Sequence, residues 1–222
     1  MAKVLVLSEG QTEETFIKHV IAPHLNQFGV MVVPTVIATK RLKSGGHFKG
    51  GVPSYTRVKK EIQRLLGDTS AAMVTTMIDY YGLPGSFPGR AAVQGNTPLE
   101  RVRYVEGELS SDIGNVRFRA YYSLHEFEAL LFASPAEIAK SFVAAGLESK
   151  LAAIRAAFPT PEDINDNPDT APSARMERLF HRYSKPFFGS VIAARIGLNT
   201  MREECAHFNE WLSELENIGT PK

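Results

Sequence analysis

The chain has 222 residues and a nearly balanced charge, with 25 Lys and Arg residues against 24 Asp and Glu residues. This balance excludes strong attraction of the whole molecule to a polyanion, so any surface for nucleic acid must be a local patch. A single cysteine excludes an internal disulfide, and no apolar stretch reaches the roughly 18 to 20 residues that span a bilayer. The first residues also lack the pattern of a signal peptide. We therefore expect a cytoplasmic protein with no membrane partner.

The first part of the chain alternates between strand-like and helix-like patterns. An apolar run at residues 4–7 predicts a buried strand, and Thr12 can begin an amphipathic helix after it. Residues 30–39 are rich in β-branched side chains and predict a second strand, which Pro34 places at an edge of the sheet. This alternation is typical of an α/β fold.

Further along, the patterns predict helices at residues 54–66 and 98–111, the second of them capped by Thr97, and strands at residues 71–78 and 116–123. From residue 127 onward the pattern is helical, apart from an irregular stretch. The sequence therefore predicts a largely parallel sheet with flanking helices over residues 1–134. A helical extension over residues 135–222 is expected to pack on it.

Acidic side chains follow three of the predicted strands. Glu9 comes directly after the first strand, with Glu13 one helical turn further on, and Asp79 ends the third. Glu126 and Glu128 follow the strand predicted at the end of the sheet region. Because ligands bind at the carboxyl edge of an open α/β sheet, these acids form a candidate site.

Taken singly, each of these acids could instead cap a helix or face solvent. Taken together, clustered carboxylates repel one another and need a cation. Carboxylate oxygens are the ligands that Mg²⁺ and Mn²⁺ prefer, and such sites hydrolyse or transfer phosphates. The pattern thus predicts a metal site with Mg²⁺ or Mn²⁺ as the cofactor.

Two segments resemble the Toprim domain in the form found in the overcoming-lysogenization-defect nucleases. They are Glu-Gly-Gln-Thr-Glu at residues 9–13 and His-Glu-Phe-Glu-Ala-Leu-Leu-Phe at residues 125–132, with Asp79 following a strand between them. The string Asp-Tyr-Tyr-Gly-Leu-Pro at residues 79–84 makes the chain more closely similar to a bacterial Toprim-like family known only as a domain of unknown function.

The resemblance implies a Toprim-like fold and a metal-dependent nuclease that hydrolyses phosphodiester bonds of nucleic acid in defence against phage or mobile DNA. Glu9 matches the glutamate that acts as general acid/base or metal ligand. Glu13 matches the second acid of the pattern, and Asp79 matches the first aspartate of Asp-x-Asp. These three are the predicted catalytic residues.

The chain departs from the pattern at Tyr81, which stands where the second aspartate would be. Glu126 or Glu128 could supply the lost oxygen, so the predicted metal ligands are Glu9, Asp79, Glu126 and Glu128. A site that holds one metal ion instead of two is a further alternative. The alternative is a non-catalytic Toprim-like interaction module that partners a separate ATPase, a partner that the resemblance implies by analogy.

Basic residues are the candidate contacts for phosphate, and DNA or RNA is the predicted partner. Four of the predicted contacts lie in a glycine-rich loop, namely Lys40, Arg41, Lys43 and Lys49. Two lie in the helical extension, namely Arg175 and Lys185. The loop could equally be a solvated connection, and the later residues could pair with acids of the chain. Tyr80 and Tyr81 could stack on a base or simply pack in their loop.

Overall fold

The computed structural model describes residues 1–37, 52–142, 144–164, 167, 169–180 and 183–219. Its sheet is built from five strands, namely β1 (Ala2–Ser8), β2 (Val30–Val36), β3 (Ala71–Asp79), β4 (Phe118–Arg119) and β5 (Tyr122–Ser123). The order is β2-β1-β3-β4, and β5 also pairs with β3. Each of these strand pairs is parallel, so the carboxyl ends lie at one edge.

The helices fall into two groups along the chain. Those within the sheet region are α1 (Gln11–Phe16), α2 (Ala22–Asn26), α3 (Tyr55–Leu66), α4 (Pro98–Ile113) and α5 (Phe127–Leu131). Those that follow are α6 (Pro135–Ala139), α7 (Leu147–Ala156), α8 (Pro172–Leu179), α9 (Ser190–Ile196), α10 (Leu198–Glu204) and α11 (Ala206–Ile218). In the described part of the chain, none is long and apolar enough to cross a membrane.

Shorter helical turns complete the fold. Two are 3₁₀ turns, at Arg90–Ala92 and Pro161–Asp163. Two are π-helical: Ile17–Ile21 joins α1 to α2, and Lys185–Gly189 runs into α9. Single π turns inside helices are frequent at functional sites.

The sheet is covered by helices on both faces. Along β1, Val4 and Val6 belong to one hydrophobic cluster, and Leu5 and Leu7 to another, because successive side chains of a strand point to opposite faces. The cluster around Leu5 contains buried residues of α3 and α4. The cluster around Val4 contains buried residues of α1 and of the C-terminal helices, including Trp211. The molecule is therefore an α/β fold with a C-terminal helical region.

Two predicted features of the sheet have different outcomes. The edge position of the second strand is confirmed, since β2 ends the strand order and contains Pro34. The single strand predicted at residues 116–123 is wrong, because it is broken between Arg119 and Tyr122. Between these two short strands, the Tyr121 backbone forms hydrogen bonds with the Thr76 side chain. Tyr121 N–H donates to Thr76 Oγ1 at 2.9 Å, and Thr76 Oγ1 donates to the Tyr121 carbonyl at 2.7 Å.

The C-terminal helices share a core with the sheet. Trp211 of α11 is buried, and its indole Nε1 donates a hydrogen bond to Thr75 Oγ1 of β3 at 3.1 Å. Phe208 and Leu212 of the same helix are fully buried in the Val4 cluster. Residues on both sides of the predicted domain boundary at residue 134 contribute to the Val4 cluster. The division of the chain into two domains at that boundary stays a prediction.

The Thr75 and Trp211 pair gives a stability prediction. Thr75→Val keeps the shape of the side chain but removes the acceptor, which leaves a buried indole N–H without a partner. We expect the free energy of unfolding to fall by about 1–3 kcal/mol, as measured by urea denaturation.

A double-mutant cycle with Trp211→Phe separates this hydrogen bond from the packing of the ring. In the Trp211→Phe background, Thr75→Val should cost clearly less, since no donor is left unpaired. Equal costs in both backgrounds would contradict a role for the bond in holding α11 to the sheet.

Candidate functional site

The first two acids lie at the carboxyl end of β1. Glu9 is anchored to β3, because its backbone N–H donates to the Met77 carbonyl at 3.1 Å and its Oε2 accepts from the Asp79 N–H at 3.1 Å. Glu13 is buried in the first turn of α1, and its Oε2 accepts from the Gly10 N–H at 3.0 Å. Both carboxyl groups are thus held by backbone N–H donors, that of Glu9 by the end of β3 and that of Glu13 by the turn from β1 to α1.

Asp79, the last residue of β3, is buried between two elements that reach it from later in the chain. Its Oδ1 accepts from the Phe127 N–H at 2.8 Å, at the start of α5. Its Oδ2 lies 2.7 Å from Lys185 Nζ, in the π-helical turn before α9. Asp79 therefore connects the sheet edge to the helical region.

The last two acids follow β5 after a strained turn. His125 is buried and has a φ of 64°, a backbone conformation that is uncommon outside glycine and that only surrounding structure can impose. Glu126 follows and accepts from both the N–H and the Oγ of Ser173, each at 2.9 Å. Glu128 is completely buried, and its Oε1 accepts from the Tyr183 hydroxyl at 3.1 Å.

Lys185 lies among these carboxylates. Its ammonium Nζ is 2.7 Å from Asp79 Oδ2 and 3.2 Å from both Glu13 Oε1 and Glu128 Oε2. Close packing of its helical turn makes this possible: a Cβ added at Gly189 would lie 2.9 Å from Thr12 Cγ2 of α1. The absence of a side chain at Gly189 thus lets the turn approach α1.

Burial dominates the pKa values of the glutamates in this group. It raises the pKa of Glu9 to about 8, with a further increase from the Asp79 carboxylate, and it raises the pKa of Glu128 to about 7 against the opposing effect of Lys185. Burial also raises the pKa of Glu13. For Lys185, burial lowers the pKa, but the carboxylates, Asp79 first, raise it well above the usual value. The ammonium therefore stays charged, while Glu9, Glu13 and Glu128 hold protons more strongly than usual.

A cavity of about 390 Å³ opens beside the cluster. Its lining contains four of the acids, the lysine and the residues that hold or flank them: Glu9, Val52, Asp79, Tyr81, Gly82, Glu126, Glu128, Ser173, Glu177, Tyr183 and Lys185. A cavity of this size suits a small ligand or one unit of a polymer.

The structure brings the predicted acids to one edge, and the cation that it places among three of them is Lys185. Glu9, Asp79, Glu126 and Glu128 line the cavity, while Glu13 contacts the lysine. Over the described ranges, no group of three or more His, Cys, Asp or Glu residues is arranged to hold a metal ion. The catalytic and metal-binding roles of these residues stay predictions.

The predicted phosphate contacts have separate outcomes. Lysine 185 lines the cavity, as described above. Arg175 donates from Nε to the Thr170 carbonyl at 2.6 Å, and its guanidinium lies 5.3 Å from the centre of the Phe158 ring, so internal contacts hold it. The four loop residues lie outside the described residues: Lys40, Arg41, Lys43 and Lys49.

Two polar residues of the site are not among the predicted site residues. Ser173 holds Glu126, and Tyr183 holds Glu128. A local signal for Ser173 is its place after Pro172 at the start of a helix. Tyr183 has no such signal, because its role depends on a partner 55 residues away in the chain.

The raised pKa of Glu9 gives a prediction for stability against pH. The usual value is 4.5 and the folded value is about 8, so at intermediate pH the folded state keeps a proton that the unfolded state has lost. The free energy of unfolding should therefore fall as the pH rises from about 5 to about 8. Glu9→Gln has no proton to release and should show a shallower fall in urea denaturation with EDTA. Identical slopes for both proteins would refute this assignment.

Lys185 gives a second stability prediction. Lys185→Met leaves the carboxylates of Glu13, Asp79 and Glu128 without their counter-charge, and breaking a buried ion pair from one side costs about 3–5 kcal/mol. The loss should be larger at pH 8 than at pH 5, where Glu13 and Glu128, whose pKa burial raises, gain protons more easily. Lys185→Arg keeps the charge and serves as the control. A Lys185→Met protein as stable as the wild type at pH 8 would contradict the role of the ammonium.

Comparison with known proteins gives a family and a distant structural likeness. Two solved structures of the C-terminal region of the Xanthomonas campestris pv. campestris OLD protein are similar, at 14% and 13% identity, each with a TM-score of 0.43. The aligned parts cover 98% of this chain and 98% of the first structure, and 97% and 96% for the second. No curated protein matches. A family model described as "Domain of unknown function (DUF4276)" matches residues 8–216, nearly the whole chain, and the protein therefore belongs to that family.

Proposed function

We propose that this protein is a metal-dependent nuclease with a Toprim-like fold, which hydrolyses phosphodiester bonds of nucleic acid. One observation carries the proposal. Carboxylates from three separate strand ends meet at one sheet edge, beside a cavity and a lysine: Glu9, Glu13, Asp79, Glu126 and Glu128. Acid clusters with a shifted pKa in a cleft are candidates for catalysis, although structural ion pairs can also produce them.

The donor set suits a hard divalent cation in its chemical type, although the described residues are not arranged around an ion. Its oxygens are carboxylates, and their number exceeds the single positive charge of Lys185. Glu9, Asp79 and Glu126 or Glu128 would hold Mg²⁺ or Mn²⁺. Bound there, the ion would polarise a phosphoryl oxygen and lower the pKa of a bound water. A bound cation would also favour the ionised form of Glu9, whose pKa burial raises.

The protein's own groups would do the rest of the chemistry. Asp79 is held in place by the Phe127 N–H, so it is oriented before any ligand arrives. Lys185 lines the cavity with a partly exposed side chain, so its ammonium can contact a phosphate oxygen that enters there. Glu13 has a raised pKa and can hold or move a proton at its carboxyl group.

A second candidate function is a non-catalytic interaction module beside a separate ATPase. The observation that favours it is the contact of Lys185 with Asp79, Glu13 and Glu128, which neutralises part of the cluster without a metal. Tyr81, a neutral side chain in place of a carboxylate, points the same way. Calorimetric titration with Mn²⁺ discriminates the two functions, since an interaction module needs no metal in this cavity.

Glu9→Gln should abolish cleavage while the fold stays intact. Loss of a residue that only supports a metal ligand costs about 10- to 100-fold. Because Glu9 is itself a predicted ligand, we expect the cleavage rate on a labelled oligonucleotide with Mg²⁺ to fall at least about 100-fold. Glu148→Gln changes an exposed glutamate of α7 and is the matched control.

Two results would count against the nuclease. Cleavage by Glu9→Gln at the wild-type rate in saturating Mg²⁺ would exclude its catalytic role. A wild-type protein that neither releases nor absorbs heat with Mn²⁺ and cleaves no nucleic acid would favour the interaction module.

A further inference from the structure

Two aromatic residues of the described part of the chain line the cavity. Tyr183 is tied to Glu128 through its hydroxyl, whereas Tyr81 is held beside the acids by its backbone. The lining is mostly charged or polar, whereas Tyr81 contributes a partly exposed aromatic ring. Its neighbour Tyr80 is buried, with the Arg90 guanidinium 4.5 Å from the centre of its ring. Of the neighbours Tyr80 and Tyr81, only Tyr81 lines the cavity and is accessible from it.

The backbone holds Tyr81 between the strand ends that carry the acids. Its N–H donates to the His125 carbonyl at 2.7 Å, so it is tied to the strained turn before Glu126. On its other side Gly82 has a φ of 78°, which favours glycine and turns the chain away. Tyr81 therefore sits two residues from Asp79 at a fixed place beside the carboxylates.

The depth of the site limits what can reach it. Glu128 and Asp79, which both line the cavity, are 0% and 6% exposed, so their carboxylates lie at its base rather than on an open surface. A volume of about 390 Å³ is in the range that holds one drug-sized ligand. It suits one nucleotide, whereas the bases of a duplex are stacked and paired and would first have to separate.

We propose that Tyr81 stacks on an unpaired nucleobase next to the phosphate in the cavity, so that the substrate is a single strand or an unpaired end of nucleic acid. This inference rests on the proposed nuclease function and names its substrate class. Stacking on an aromatic ring tolerates any base, because every base has a π-face. It also gives the nucleotide an attractive contact in a cavity whose acids would otherwise repel it.

The test measures binding of a short oligonucleotide that contains the fluorescent base 2-aminopurine, as a single strand and as a duplex. Ca²⁺ replaces Mg²⁺ as the oxygen-liganded cation. The wild type should prefer the single strand and quench its fluorescence. Tyr81→Leu should bind it about 5- to 150-fold more weakly, the range expected for loss of one base stack, and should lose the quenching.

Two further variants make the result specific. Tyr81→Phe keeps the ring and should behave as the wild type. Phe187→Leu removes an aromatic side chain that is 69% exposed and does not line the cavity, and it too should leave binding and quenching unchanged. Thermal unfolding of each variant checks that the fold is retained.

The outcomes separate this inference from the proposed function. If the wild type cleaves nucleic acid but Tyr81→Leu binds the single strand as tightly and with the same quenching, stacking by Tyr81 is refuted and the nuclease stands. Equal or stronger binding of the duplex also overturns the inference. If the wild type neither binds nor cleaves any of these oligonucleotides, the proposed function fails and the inference fails with it.

Discussion

Repulsion among buried carboxylates at one sheet edge is the constraint on which the rest of the structure depends. Parallel strands end together, so the acids that follow them come together inside the protein, where ionised groups are costly. The fold meets this cost in two ways. Burial raises the pKa of Glu9, Glu13 and Glu128, so these groups bind protons more strongly than usual. Lys185 brings a positive charge within 2.7 to 3.2 Å of three of the acids.

The C-terminal helical region supplies that positive charge. Lys185 is 106 residues beyond Asp79, and it reaches the carboxylate because its helical turn packs against α1 at Gly189. Trp211 holds the last helix to the same sheet through Thr75. The C-terminal helices thus complete the hydrophobic core and the electrostatics of the site together, and a change that loosens them should disturb both.

The same electrostatics support the chemistry that we propose. The carboxylates outnumber the one ammonium, which leaves negative charge that a divalent cation can neutralise. The backbone already orients Asp79 through the Phe127 N–H, and Ser173 holds Glu126. An aromatic ring, Tyr81, adds a neutral surface at which a base can approach this acidic cavity. Metal, phosphate and base would therefore each meet a different part of one site.

The sequence by itself determined the features that depend on neighbours in the chain. Alternating apolar runs placed the strands, Thr97 capped α4 as predicted, and acids after successive strands pointed to one edge because parallel strands end together. Only the tertiary structure decided that Lys185 lies among those acids. It also decided that the strand predicted at residues 116–123 is replaced by two short strands, β4 and β5. These outcomes depend on contacts across dozens of residues, such as Tyr121 with Thr76, and distances of that kind are set by packing of the whole core and by no local pattern.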